Sequence, residues 1–177
     1  MSHSTTLLDK STTFLDVFST LDPRVLFSVC HPEYKHVFAP ESVSSLPGPF
    51  NLEDFARYIS RIRHVMQSFP VWSVNTFGAA SEGEHGARDV TIHAKSQVVW
   101  KEAITNANGA RGLETEEVDW DFEGEYIFVL RFEAGVPIQE ARITHCLEFL
   151  DSKKTERLMI LMKRARAIVG VDVAGND

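Results

Sequence analysis

Residues 124–152, GEYIFVLRFEAGVPIQEARITHCLEFLDS, decide how this chain folds. In the first arm Tyr126, Phe128, Leu130 and Phe132 fall on one face, and Glu125, Ile127, Val129 and Arg131 on the other, as the period of 2 in a strand requires. Apolar side chains on both faces predict a central strand. In the second arm Ile143, His145, Leu147 and Phe149 share one face, opposite Arg142, Thr144, Cys146 and Glu148. Gly135 and Pro137 predict the turn, because glycine reaches positive φ freely and proline cannot donate to a ladder. Asp151 or Ser152 then caps a helix.

Working outward, Leu7, Leu8, Phe14, Leu15, Phe18 and Leu21 recur at helical spacing, and Asp22-Pro23 ends that helix and starts a short one carrying Val25, Leu26 and Val29. His31-Pro32 closes it. Tyr34, His36 and Phe38 alternate along a brief extended segment before Pro40. After a Ser, Pro and Gly loop, Asn51 caps a third helix whose stripe runs from Leu52 through Phe55, Ala56, Ile59, Ile62 and Met66 to Phe69, with Pro70 as its stop. Arg57, Arg61 and His64 point away from that stripe. VWSVNTF (residues 71–77) and residues 89–100 predict a hairpin, with Val90, Ile92, Ala94, Ser96, Val98 and Trp100 inward and His93 outward.

Residues 105–123 form a long irregular connection rich in acids, either a lid or an unstructured loop. In the last helix Leu158, Leu161, Met162, Ala165 and Ile168 make the apolar face, Lys163, Arg164 and Arg166 suit the C-terminal dipole, and Gly170 is the stop. Helices first and long strands later describe an α+β fold, with three helices on one face of a curved antiparallel sheet. We expect tails at residues 1–6 and 171–177 around one domain at 7–170.

The chain has 177 residues and a formal net charge of -7, from 18 basic and 25 acidic side chains. A nucleic-acid partner needs a basic patch, and none is legible. Two cysteines, Cys30 and Cys146, make no disulfide framework and no ligand spacing. No apolar run approaches the ~18 residues of a membrane span, so the expectation is a soluble, cytoplasmic protein. The seven histidines show no metal-ligand spacing, and no phosphate or dinucleotide loop is present, so neither a metal nor a cofactor is expected.

What remains is a pocket doing acid/base work with ordinary side chains. His145 lies in an apolar row, which fits either a proton-transfer group or a core histidine satisfied by a hydrogen bond. A turn symmetric about residue 135 sets Glu125 opposite it, and a slip of one residue sets Tyr126 there. His36, between Tyr34 and Phe38, is a second candidate at a pocket mouth. Strict alternation turns Glu148 away from His145, so only a bulge near Cys146 brings Glu148 inward. Trp72, Trp100 and Trp120 could wall an apolar substrate, or simply be core.

The segments FLDVFSTLDPRVLFSVCHPEYKHVFAP, SFPV, GEYIFVLRF and LEFLDSKKTERL resemble the SnoaL-like branch of the NTF2-like superfamily, over roughly residues 10–167. The resemblance is nearest to small fungal proteins of natural-product pathways. It implies a cone-shaped α+β barrel, a homodimer through the outer sheet face, no cofactor, and a hydrophobic, polyoxygenated substrate. His36, His145 and Glu148 then stand where relatives carry polar or acid/base groups. The implied activity is a cofactor-independent isomerase or cyclase of a polyketide-terpenoid intermediate. A dehydratase, a hydrolase or a non-catalytic binding or dimerisation module are the alternatives. The histidine set of scytalone dehydratase and the Asp-Arg-Asp set of epoxide hydrolases have no match here.

Overall fold

The computed structural model describes residues 6–41, 48–80, 88–107 and 118–170. Helix α1 (Leu7–Thr20) starts from a capping box: the Asp9 N–H donates to Thr6 Oγ1 at 3.2 Å, and the Thr6 N–H donates to Asp9 Oδ2 at 2.7 Å. Thr6 therefore belongs to the helix rather than to a tail. Leu21 closes α1 in the left-handed region, at φ 49°, with its side chain wholly buried. Helix α2 (Arg24–Val29) follows, and then strand β1 (Cys30–Ala39), which is longer than the brief segment expected. Pro32 sits within β1, where the register against its neighbour is irregular and no ladder bond depends on it.

Strand β2 (Phe50–Asn51) leads into α3 (Leu52–Ile62), where Asn51 Oδ1 accepts from the Asp54 N–H at 2.9 Å. The helix stops at Ile62, about two turns before the expected Pro70. Met66 and Phe69 are buried as the stripe implies, but on and just after β3 (Met66–Ser68) rather than on a helix, and Val65 is buried beside them. The Phe69 N–H donates to the Phe18 carbonyl and the Lys101 N–H to the Val65 carbonyl, so tertiary hydrogen bonds replace helical ones. Arg57, Arg61 and His64 are exposed.

Strands β4 (Val71–Ala80) and β5 (Arg88–Gln97) pair antiparallel, as expected of that hairpin; the connection at 81–87 lies outside the described residues. Val90, Ile92, Ala94, Ser96, Val98 and Trp100 are all buried and His93 is half-exposed, as the alternation requires. Strand β6 (Val99–Trp100) pairs with β3, and α4 (Glu102–Thr105) is a single turn. Most of the long acidic connection, 108–117, lies outside the described residues, so its reading as lid or loop does too.

The main sheet is completed by β7 (Glu123–Phe132) and β8 (Ile143–Leu150), in the order β2-β1-β8-β7-β5-β4. β7 is central, as its two apolar faces require. The sheet is mixed rather than wholly antiparallel, because β1 runs parallel to β8. That pairing joins one of the first strands to the last and closes the chain on itself. Helix α5 (Ser152–Val169) is capped by Asp151, whose Oδ1 accepts from Lys153 and Lys154 at 3.0 and 3.1 Å, and ends at Gly170 with φ 71°. No described helix is long and apolar enough to cross a membrane.

The inner face of the sheet and the helices enclose an aromatic core. Phe14, with no exposed surface, meets Phe18, Tyr34 and Phe128 at centroid distances of 6.0, 6.3 and 6.4 Å. Truncating such a ring to alanine costs about 3–5 kcal/mol. The position of β8 in this core decides the site.

Candidate active site

The β7–β8 turn is not centred on residue 135. Arg131 stands opposite His145 and Tyr126 opposite Leu150, and the reversal is made by a longer loop in which the Glu140 and Ala141 N–H groups donate to the Pro137 carbonyl. A bulge follows, since Phe132 pairs with Ile143 and Arg131 with His145, which leaves Thr144 as the extra residue. The bulge swaps the faces of the rest of β8. Ile143 is buried; beyond Thr144 it is Cys146 and Glu148 that point inward, while His145 is exposed and Phe149 is 42% exposed.

The expectation that His145 shares the inner face is thereby corrected, and so is its pairing with Glu125 or Tyr126. Glu125 lies on the outer face, where its carboxylate pairs with His93 Nε2 at 2.6 Å. That imidazole holds the carboxyl of Glu125 below its ordinary range.

Because β1 lies parallel to β8, with Phe38 in register with Glu148, the inward side chains of the two strands meet. His36 has no exposed surface and Glu148 is 4% exposed. His36 Nε2 is 3.0 Å from Glu148 Oε2, and its Nδ1 is 2.8 Å from the Tyr34 hydroxyl. The imidazole also stacks on Phe55, with centroids 3.9 Å apart and planes 16° apart. Burial, with the Cys146 and Cys30 thiols and Glu148 close by, pushes the Tyr34 phenol far up, so it stays protonated. A neutral imidazole satisfies both contacts: the Tyr34 O–H donates to Nδ1, and Nε2–H donates to the Glu148 carboxylate. Three buried polar groups thus form one chain that ends on Glu148.

Glu148 opens onto a cavity between the sheet and α5. Its polar lining is Glu148, Tyr58, Tyr126, Thr155 and Arg166; Phe38, Met66, Phe69 and Met162 are among its apolar walls. His36 and Tyr34 do not line the cavity and reach it only through Glu148. Ser96 donates its hydroxyl proton to Tyr126 Oη at 3.1 Å, which leaves the phenol's own proton free for another acceptor. Burial pushes the phenols of both Tyr126 and Tyr58 up. Both are therefore hydrogen-bond donors at neutral pH. Gly124 makes room for this arrangement: a Cβ there would lie 2.2 Å from Tyr126 Oη and 2.5 Å from Ser96 Oγ.

The tryptophans are elsewhere. Trp100 donates its indole N–H to the Trp120 carbonyl at 2.7 Å and packs against that ring at 5.2 Å; neither lines the cavity. Trp72 is 46% exposed on the outer face of β4. Pattern marks neither Tyr58 nor Arg166 as a site residue, and places Arg166 only at the C-terminal dipole of the last helix. Tyr58 is set three residues after Phe55 on α3, a spacing that puts it on the same side of the helix, and Arg166 is half-buried where Lys163 and Arg164 are exposed. Among the described residues no group of three or more His, Cys, Asp or Glu side chains could hold a metal ion.

No family profile matches the sequence, and no curated protein sequence is similar to it. Solved structures are. The BvnE pinacolase of Penicillium brevicompactum superposes with a TM-score of 0.63 at 18% identity, over 88% of this chain and 93% of its own. A SnoaL-like polyketide cyclase from Agrobacterium tumefaciens gives 0.56 at 12% identity, over 88% and 98%. An NTF2-like protein of unknown function from Burkholderia pseudomallei gives 0.56 at 14%, over 89% and 98%. Identities this low establish a shared fold, and the fold is the SnoaL-like, NTF2-like α+β arrangement that the sequence resembles.

Proposed function

We propose that this SnoaL-like fold holds a cofactor-independent acid/base isomerase or cyclase acting on a hydrophobic, polyoxygenated polyketide-terpenoid intermediate, with Glu148 as the proton-transfer group. The observation that carries the proposal is one carboxylate on the wall of an otherwise largely apolar cavity, backed by a buried imidazole and phenol. The likeness to a pinacolase and a polyketide cyclase supports the reaction class. So does the cone-like interior that the helices and curved sheet leave in such folds.

In this scheme Glu148 takes a proton from a carbon next to a carbonyl. The electron pair moves to the carbonyl oxygen, where the Tyr126 O–H, and Tyr58 beside it, stabilise the developing charge. Return of the proton to a different carbon, or attack by the enolate on a second electrophilic carbon, gives an isomer or a ring of unchanged composition. His36 and Tyr34 act as positioning residues: the Nε2–H bond fixes one carboxylate oxygen of Glu148, and the Tyr34 O–H holds the imidazole in that tautomer. His145 has no part in it. The outer sheet face, with Phe77, Ile127 and Phe149 exposed, is taken as the contact of a homodimer.

The test is to incubate purified protein in D2O with an extract from cells in which its gene is deleted. One metabolite should convert to an isomer carrying one deuterium, and Glu148→Gln should slow that conversion about 10²–10⁴-fold, the usual share of a general base. Conversion by Glu148→Gln at the wild-type rate refutes the scheme. A product lighter by one water assigns a dehydratase, one heavier by a water assigns a hydrolase, and binding without conversion assigns a ligand-binding module.

A further inference from the structure

Arg166 is the charged lining residue that this proton transfer leaves unused. It comes from the last turn of α5, is half-buried and lines the same cavity as Glu148. Its guanidinium makes no ion pair or side-chain hydrogen bond among the described residues, and its backbone carbonyl accepts from the Gly170 N–H. The arginines at 24, 57, 131 and 157 each pair with an aspartate.

A guanidinium keeps its charge at any pH the protein meets and offers five donors in a planar fork. Standing at an apolar wall, it has surrendered part of its hydration without a protein anion in return. Its field reaches the Tyr58 phenol and pulls against burial and Glu148, which both raise that group. Tyr58 therefore lies within electrostatic reach of both charges. The cavity has a negative point at its deeply buried carboxylate and a positive point at α5. A ligand anion is repelled by the first and drawn to the second.

We propose that the cavity takes a hydrophobic organic acid, an apolar skeleton whose oxyanion docks on Arg166 and so directs an uncharged C–H towards Glu148. The oxyanion is a carboxylate or an ionised enol, and the fork of Arg166 suits both. This deepens the function proposed above and rests on the cavity being the ligand site, but not on Glu148 transferring a proton.

Two probe pairs test it by titration calorimetry at neutral pH: naphthylacetate against its methyl ester, and a hydroxynaphthoquinone, ionised at that pH, against its methyl ether. The wild-type protein should bind at least one anion about tenfold tighter than its uncharged partner, the factor that a charge-assisted hydrogen bond contributes. A preference confined to one pair identifies the oxyanion. Arg166→Gln should erase the preference while leaving the affinity of the uncharged form unchanged, Arg166→Lys should keep part of it, and Glu148→Gln should retain it. Equal affinity of anion and uncharged partner in the wild-type protein overturns the proposal, as does failure to bind any probe. Equal weakening of both forms by Arg166→Gln also overturns it, since that is the mark of a side chain that only packs the wall. Should Arg166→Gln not fold, the wild-type comparison and Arg166→Lys decide. Failure of the proton-transfer scheme shows separately, in the conversion assay with Glu148→Gln.

Discussion

Replacing His36 by phenylalanine keeps a flat ring of similar size against Phe55 and removes both nitrogens, so it isolates the polar chain from the packing around it. In the native protein those nitrogens meet the Tyr34 hydroxyl at 2.8 Å and Glu148 Oε2 at 3.0 Å, and both partners are buried. His36→Phe leaves a buried carboxylate without its hydrogen-bond donor, a cost above that of a neutral group and about 3–5 kcal/mol. The stranded Tyr34 hydroxyl stays near the Cys146 thiol, so its loss adds little. Glu148→Gln is milder: its amide oxygen still accepts from Nε2–H, and about 1 kcal/mol is expected. Starting from Glu148→Gln, the histidine change strands only neutral groups and should cost about 1–3 kcal/mol. The cycle then closes with a coupling of about 2 kcal/mol, within the range for contacting residues. Urea unfolding followed by the fluorescence of the three tryptophans measures all four proteins, with the m-value checking that each unfolds alike. A cost below about 1 kcal/mol for His36→Phe, or an equal cost in both backgrounds, would refute the idea that the imidazole holds a charged Glu148.

Two further outcomes bear on the site and its setting. Gly124→Ala should push the Tyr126 ring off Ser96, since its Cβ would fall 2.2 Å from Tyr126 Oη; a loss of about 1–3 kcal/mol in unfolding free energy together with slowed conversion is expected, and unchanged turnover would remove Tyr126 from the scheme. On the outer sheet face, Phe77→Lys combined with Ile127→Lys should convert a dimer to a monomer in sedimentation velocity; a wild-type protein that already sediments as a monomer would dispose of that interface.

How far the chain can be read without coordinates differs from element to element. Strand β7, the inner row from Val90 to Trp100, and the boundaries of α1 and α5 follow from spacing, caps and stops, because each depends on neighbours a few residues away. The α+β class follows as well, since the order of helices and strands is itself local information, and the SnoaL-like fold is what the resemblance of the quoted segments implies. His36, Tyr34, Phe38, Tyr126 and Glu148 could be named as polar or aromatic residues on strands. Their mutual geometry could not, for it needs a parallel pairing between β1 and β8, whose residues are more than a hundred positions apart.

The second arm of residues 124–152 makes the physical reason plain. Alternation has a period of two, so one inserted residue exchanges the faces of everything after it, and nothing in ITHCLEFL marks Thr144 as that residue. Both faces offer enough apolar surface for either register. The choice falls to distant groups: with Glu148 inward, its carboxylate finds His36, whereas inward His145 would leave that imidazole unpaired on β1. Local chemistry wrote the strand, and a partner 112 residues away chose which side of it faces the cavity.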